Sequence, residues 1–336
     1  MDRSPLARRR PNLPRRRLIG AAAAAGAGLG SASRLLAQDA NWPNRPVRII
    51  VAFTAGGTTD IIARAVAEKL TERFKQSFVV ENKPGAGGNI GTEYVVHAAP
   101  DGYTLIINSV GPMAVNPTLF KSLPYDPQKD LAPVMLLADV PNVLVVPPTL
   151  GIKTFEEFVR YAKANKGKLS YGSTGIGTSS HLSSFMLSQQ IDAQAQHIPY
   201  KGSGALLDLI AGRIQFMFAT IPSAISQIRG GKLTALAVSS ERTSRALPGI
   251  PPVAEKGFPG FSAGSWFGMS APRDTPPALI EQLNKALTEI LPSLEEKLVN
   301  EGADPVGGPP RQYAEFIRKE TEKWRTVVRE SGAEPQ

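Results

Sequence analysis

The chain of 336 residues contains no cysteine. That excludes disulfides, thiolate metal sites, iron–sulfur clusters and a cysteine nucleophile. It also excludes a bacterial lipoprotein anchor, which is attached at a cysteine. Histidine is scarce: His97, His181 and His197 are the only three, and they are not at zinc-ligand spacing. Neither G-x-x-x-x-G-K-[ST] nor H-E-x-x-H occurs. Aromatic residues are few, at 7%. The apolar run at 18–29 falls short of the ~20 residues a membrane-spanning helix needs. Apolar content of 42% and charged content of 20% are nonetheless those of a globular chain rather than a disordered one.

The formal charge of +9 is not a property of the body of the chain. Residues 1–37 hold eight arginines and a single acid, Asp2; the remainder has 30 basic and 28 acidic residues, a net of +2. A general electrostatic argument for nucleic acid is thereby removed. The first 37 residues have the three parts of an export signal: a basic region at 8–17, an apolar stretch, and small residues before Ala37. Arg15-Arg16-Arg17-Leu18-Ile19 has the form of a twin-arginine motif, and cleavage is expected after Ala37. The mature protein is expected in the periplasm.

Beyond the signal the pattern alternates. Residues 47–53 (VRIIVAF) read as a strand, 58–74 as an amphipathic helix, 78–81 as a strand, 91–98 as a helix and 103–108 as a buried strand. Strands follow at 134–137, 143–146, 169–172, 196–200, 216–219, 233–238 and 265–270. Helices are expected at 154–165, 179–189, 203–211, 276–291, 294–301 and 309–331. Thr154 and Glu157 have capping-box spacing. The order implies α/β architecture with mostly parallel sheets and helices on both faces. The tail after Ser270 has too few strands to close its own core and is expected to pack back on the first unit.

Enzyme motifs fail on context. Gly260-Phe261-Ser262-Ala263-Gly264 matches G-x-S-x-G, but no helix follows it and no histidine lies downstream. A hydrolase using Ser262 is the minor alternative. The run 85–91 (GAGGNIG) has the wrong glycine spacing for a dinucleotide loop, and no cofactor is expected.

Two strand-to-helix loops stand out: 53–60 (FTAGGTTD) and 171–181 (YGSTGIGTSSH). Glycines let main chain approach a ligand, and a helix N-terminus favours an anion. Hydroxyls at Thr58, Ser173, Thr174 and Thr178 add donors. Thr58, Thr59, Asp60 and Thr178 can equally serve as helix caps.

The chain resembles the Bug family of extracytoplasmic solute receptors, the binding components of tripartite tricarboxylate transporters. The likeness runs through 42–48 (WPNRPVR), 53–60, 80–89 (VENKPGAGGN), 100–105 (PDGYTL), 171–177 (YGSTGIG), 199–202 (PYKG), 236–238 (LAV), 251–257 (PPVAEKG) and 266–268 (WFG). It implies a type II periplasmic binding protein fold, with two α/β lobes and a ligand cleft between them. Lobe 1 would comprise 42–141 and 269–336, and lobe 2 would comprise 142–268. A small carboxylate, such as a di- or tricarboxylate, an amino acid or an aromatic acid, would sit between the loops.

The resemblance points to Phe53, Thr54, Ala55, Gly56, Gly57 and Thr58 on the first loop, with Asp60 facing the ligand's distal end. Ser109 joins them. Ser173, Thr174, Gly175, Thr178 and His181 represent the second loop; Tyr200, Lys201, Gly202 and Ser203 the far wall. Lys201 is either a ligand group or a structural residue with its charge at the rim. Main-chain approach is expected at Gly56 and Gly175. Where the family commonly has two prolines after Phe53, this chain has Thr54 and Ala55, giving a looser loop or an added hydroxyl. A monomer is implied. Its partners would be the membrane components of a tripartite tricarboxylate transporter or, alternatively, a sensor kinase.

Overall fold

The computed structural model describes residue 1 and residues 42–202 and 204–330. The expected export signal and Ser203 lie outside the described residues. The described residues from Arg45 onward form one compact unit.

Val47–Val51 (β1) is β-branched and almost wholly buried, as a strand covered on both faces must be. Thr58–Phe74 (α1) follows, burying Ile62, Ala63, Val66 and Leu70 along one face. It stops at Lys75, which takes a left-handed conformation and returns its N–H to Thr71. Phe78–Asn82 (β2), Asn89–Val96 (α2) and Thr104–Ser109 (β3) complete this run. A π turn at Gly111–Val115 leads into Asn116–Leu119 (α3), then Leu131–Val140 (β4) and Asn142–Val146 (β5). The second run is Phe155–Ala164 (α4), Ser170–Ser173 (β6), Ser179–Gln190 (α5), Gln196–Pro199 (β7), Gly204–Ile210 (α6), Met217–Thr220 (β8), Ile221–Arg229 (α7) and Thr234–Val238 (β9). Ser265–Pro272 (β10), Pro277–Asn300 (α8), Asp304–Pro305 (β11) and Pro310–Glu330 (α9) close the chain. The capping box forms: Thr154 accepts from the Glu157 N–H, and the Glu157 carboxylate accepts from the Thr154 N–H.

One sheet has the order β11-β4-β10-β3-β1-β2, a second the order β8-β5-β9, and β6 pairs with β7. A bridge between Tyr171 and Phe216 ties the β6 end to β8. The expectation of mostly parallel sheets is corrected. β1 runs parallel to β2 and β3, and β6 to β7. β10 is antiparallel to β3 and β4, β11 to β4, and β5 to β8 and β9. The reason is connectivity. β4 leaves the first sheet at Val140 and, after Pro141, continues as β5 of the second. β10 brings the chain back, so it must run opposite to its neighbours. The expected boundary at 268/269 falls inside β10, whose whole length is paired in the six-stranded sheet.

Three further corrections concern helices. α7 and the helical turns at 111–119 were not among the expected elements. The segment expected as two helices around Pro292 is one helix. Its stripe of Leu283, Leu287, Ile290, Leu294 and Leu298 is buried, and the Ser293 hydroxyl donates to the Ile290 carbonyl beside the proline. As the scarcity of strands after Ser270 predicts, α8 packs on α1 and β4, and α9 on β4 and the π turn.

A candidate anion site at three helix N-termini

Three helices start at one place. α1 follows β1 through residues 53–57, α5 follows β6 through 174–178, and α7 springs from the end of β8 at Thr220. Their leading residues, Thr58 and Thr59, Thr178 and Ser179, and Thr220 and Ser223, line one cavity of about 60 Å³. Thr54, Ser109, Thr174 and Ser265 add hydroxyls, and Phe53, Leu206 and Phe267 add apolar wall. Of fifteen described lining residues ten carry a hydroxyl and none is charged. The N–H groups of a helix's first turn carry partial positive charge, so the convergence favours an anion without any arginine; in α7 Ile221 donates to the Pro141 carbonyl and Pro222 has no N–H, so α1 and α5 bring more of these donors than α7 does.

Two of the three ends lack a side-chain cap. Gly57, at the N-cap of α1, has no side chain, and Thr220 makes no cap bond to α7. The Thr220 hydroxyl instead lies 2.7 Å from that of Thr58 and 3.0 Å from that of Ser223. At α5, Thr178 does cap, accepting from the His181 N–H.

A second cavity of about 270 Å³ shares Phe53, Thr54, Thr174 and Gly202 with the first. Its walls are Pro84 to Gly88, Phe120, Gly175, Ile176 and Pro199 to Lys201, with the exposed Lys201 its one charged residue. Segments attached to the two sheets meet across this cleft at glycines. A Cβ on Gly202 would lie 2.0 Å from Thr54 Oγ1, one on Gly87 2.4 Å from the Ile176 carbonyl oxygen, and one on Gly177 2.2 Å from Asn116 Oδ1.

The structure places the expected residues unevenly. Phe53, Thr54, Gly57, Thr58, Ser109, Thr174, Thr178 and Gly202 line the small cavity, and Gly175, Tyr200 and Lys201 line the larger. Asp60 lines neither. Its carboxylate is buried and accepts from the Gly56 N–H at 3.0 Å, Arg64 Nε at 2.9 Å and Asn82 Nδ2 at 3.0 Å. Burial alone would raise its pKa, but these three donors outweigh it and hold the group below the usual carboxylate range. Asn82 also donates to the Phe53 carbonyl, so this cluster fixes the first loop.

Ala55 and Gly56 are exposed and line neither cavity, and a Cβ on Gly56 would meet open space. That glycine has a φ of 79°, in the left-handed region that favours glycine.

Ser173 and His181 also lie outside both cavities and hold the second loop from beneath. The Ser173 hydroxyl donates to the Gly175 carbonyl and accepts from the Gly175 N–H. His197 Nε2 lies 2.7 Å from the same hydroxyl. His181 Nδ1 accepts from the Gly177 N–H at 3.3 Å. The two imidazoles stack at 4.0 Å, and Tyr171 stacks on His197. Burial pushes His181 down to about 4; burial, then the proximity of His181, pushes His197 down to about 3. Both rings are neutral at pH 7.

Thr220, Ser223, Ser265 and Phe267 were not among the expected site residues. The dipeptide Ile221-Pro222 after a strand is a helix-start signal that would have marked the first two. Ser265 and Phe267 arrive on the returning strand, and no local pattern marks them.

A larger cavity of about 630 Å³ lies where the chain crosses between the sheets. It is lined by Asp139, Asp304, Glu320 and Ser262 among others. Burial and the charges of Asp304 and Glu320 push Asp139 up to about 6. Ser262 has no histidine among its neighbours there and is followed by β10, so the nucleophile reading has no geometry behind it. Among the described residues no cluster of side chains is placed to hold a metal, and no helix is long and apolar enough to cross a membrane.

Residues 62–333 match the family model described as the tripartite tricarboxylate transporter family receptor. The chain is 39% identical to protein BugT of Bordetella pertussis over 296 residues, covering 87% of this chain and 91% of that one. It superposes on R. palustris Rpa4515 with adipate with a TM-score of 0.86 at 36% identity, covering 88% of this chain and 100% of that one. For the periplasmic binding protein BugD the TM-score is 0.84 at 34% identity, with 88% and 100% covered. The fold is thus the two-lobed one of periplasmic binding proteins, and the function is that of a receptor rather than an enzyme. On the strength of a match through both runs of α/β structure and the C-terminal helices, this chain belongs to the tripartite tricarboxylate transporter receptor family, alongside the Bug proteins.

Proposed function

We propose that this protein captures a small carboxylate, such as a di- or tricarboxylate, an amino acid or an aromatic acid, with the carboxylate seated at the three helix N-termini. The observation that carries the reading is the convergence of α1, α5 and α7 on one cavity lined by hydroxyls and free of charged side chains. Thr58, Thr59, Thr178, Ser179, Thr220 and Ser223 would be the contacting residues, through main-chain N–H groups and hydroxyls. The rest of the ligand would extend into the larger cavity, with Lys201 at its rim. Adipate in Rpa4515, a related protein, supports an acid as ligand.

In this reading the six-stranded sheet with 42–141 and the C-terminal helices forms one lobe. The strands between 142 and 238 form the other, and ligand binding closes them. Residues 1–37 direct export and are removed, and the liganded receptor delivers to the membrane components of a tripartite tricarboxylate transporter.

The test is a thermal-shift screen of carboxylates against sugars and other uncharged compounds. A true ligand at a hundredfold excess over Kd adds about 2.7 kcal/mol of stability. A shift confined to one class of acid is expected. Shifts with neutral compounds alone would overturn the reading.

A further inference from the structure

Asn116 opens the short helix α3 and is wholly buried. Its side-chain amide serves two segments. Nδ2 donates to Asn89 Oδ1 at 2.6 Å and to the Gly87 carbonyl at 3.4 Å. The Tyr125 hydroxyl donates to the same Asn89 oxygen at 2.8 Å. All of these groups lie between residues 87 and 125, on the side of the six-stranded sheet. They hold the turn of Pro84 to Gly88 that walls the 270 Å³ cavity, and a movement of the second loop leaves their bonds intact.

Oδ1 meets that second loop. A Cβ on Gly177 would lie 2.2 Å from it, so the oxygen rests against the Gly177 main chain with no room for water between them. It is buried and has no hydrogen-bond partner among the described residues. The one donor Gly177 offers, its N–H, goes to His181 Nδ1. On the other side the Gly177 carbonyl packs on Gly111, where a Cβ would lie 3.2 Å from it. An acceptor buried without a donor is unfavourable. Here the cost belongs to the closed arrangement alone. Once Gly177 withdraws with its own lobe, Oδ1 is met by water, while Nδ2 keeps both of its bonds.

We propose that Asn116 is a positioning residue that fixes the cavity wall through Nδ2 and, through Oδ1, biases the empty receptor toward the open form. Closure then waits for the contacts that a bound ligand adds. The inference rests on the two-lobe closure of the reading above and deepens it.

The experiment is small-angle X-ray scattering on the purified full-length protein without ligand, comparing the wild type with Asn116→Leu. Leucine keeps the branched shape and removes the acceptor, and Asn89 Oδ1 retains its bond from Tyr125. The expected result is a smaller radius of gyration in the variant, with the ratio of closed to open forms raised about tenfold, the scale of one unmet buried group. A merely structural role would loosen the wall and leave the radius unchanged or larger. Asn116→Ala, which removes the same oxygen without adding bulk, carries the same expectation and serves where leucine prevents folding. A folded variant whose ligand-free radius equals or exceeds that of the wild type would overturn the inference. It would leave the carboxylate reading intact, since that stands or falls with the thermal-shift screen.

Discussion

The carboxylate of Asp60 and the rings of His181 and His197 act on the binding loops without lining the cavities. Asp60→Ala leaves the Gly56 N–H and the Asn82 amide without their acceptor, and a cost of about 1–3 kcal/mol is expected. Urea unfolding measures it, and ligand affinity should fall as the first loop loosens. The histidine pair makes a pH prediction. Both pKa values lie below the unfolded value of about 6.5. Between the folded and unfolded values the unfolded chain binds protons that the native protein refuses, so stability there rises with pH. The contribution of the pair is therefore complete above about pH 6.5 and is lost as pH falls toward 4. Urea midpoints of the wild type and the His181→Gln, His197→Gln double variant, taken at pH 7 and pH 5, test this. The wild type should lose more stability over that interval; equal losses would refute the assignment. Asp60 has the same sign in a lower window, since its lowered pKa costs stability as pH falls below the ordinary carboxylate value.

At the scale of elements, most of the chain was legible. α1 has the bounds its apolar period predicts, and the capping box at Thr154 forms as spaced. Thr154→Ala should cost about 1 kcal/mol of stability. Ligand affinity should not change, because α4 lies outside both cavities. What was not legible sits at prolines. Pro292 reads as a break between two helices, while the helix start at Ile221-Pro222 was not assigned; Pro222 occupies the first turn of α7, where its missing N–H is harmless. Pro292 is carried through by the burial of leucines on either side of it. A local signal lost to packing at Pro292 and was passed over at Pro222. The missed start of α7 matters most, since it supplies Thr220 and Ser223. Thr220→Val would remove the hydroxyl 2.7 Å from Thr58 while keeping the shape, and weaker ligand binding with little change in Tm is expected.

For the molecule as a whole, several contacts across the cleft are made at glycines, beside the Thr58–Thr220 hydroxyl pair, and they predict how closure fails. Gly87→Ala would place a methyl group against the Ile176 main chain. Its own φ of 62° adds a strain that any alanine there would carry. Gly167→Ala is the control, with a φ of 73° and nothing within 4 Å of its Cβ. Gly87→Ala should lose more stability than Gly167→Ala, and it alone should lower ligand affinity and leave the liganded protein with a larger radius of gyration in solution scattering. A liganded radius equal to that of the wild type would remove Gly87 from the closure contact.

By itself the sequence determined the α/β class, the two strand-to-helix loops, the near-neutral body and the kinship, because each of these is written in local periodicity, turn residues or composition. It could not say which loop residues line a cavity. Asp60, Ser173 and His181 belong to the same short segments as Thr58, Thr174 and Thr178, yet their side chains turn inward to hold the loops. Only the tertiary structure decided this, by bringing α7 and the returning strand β10 to the two loops. The cavity is made of residues from 53 to 267, and no pattern of local spacing encodes a meeting of that range.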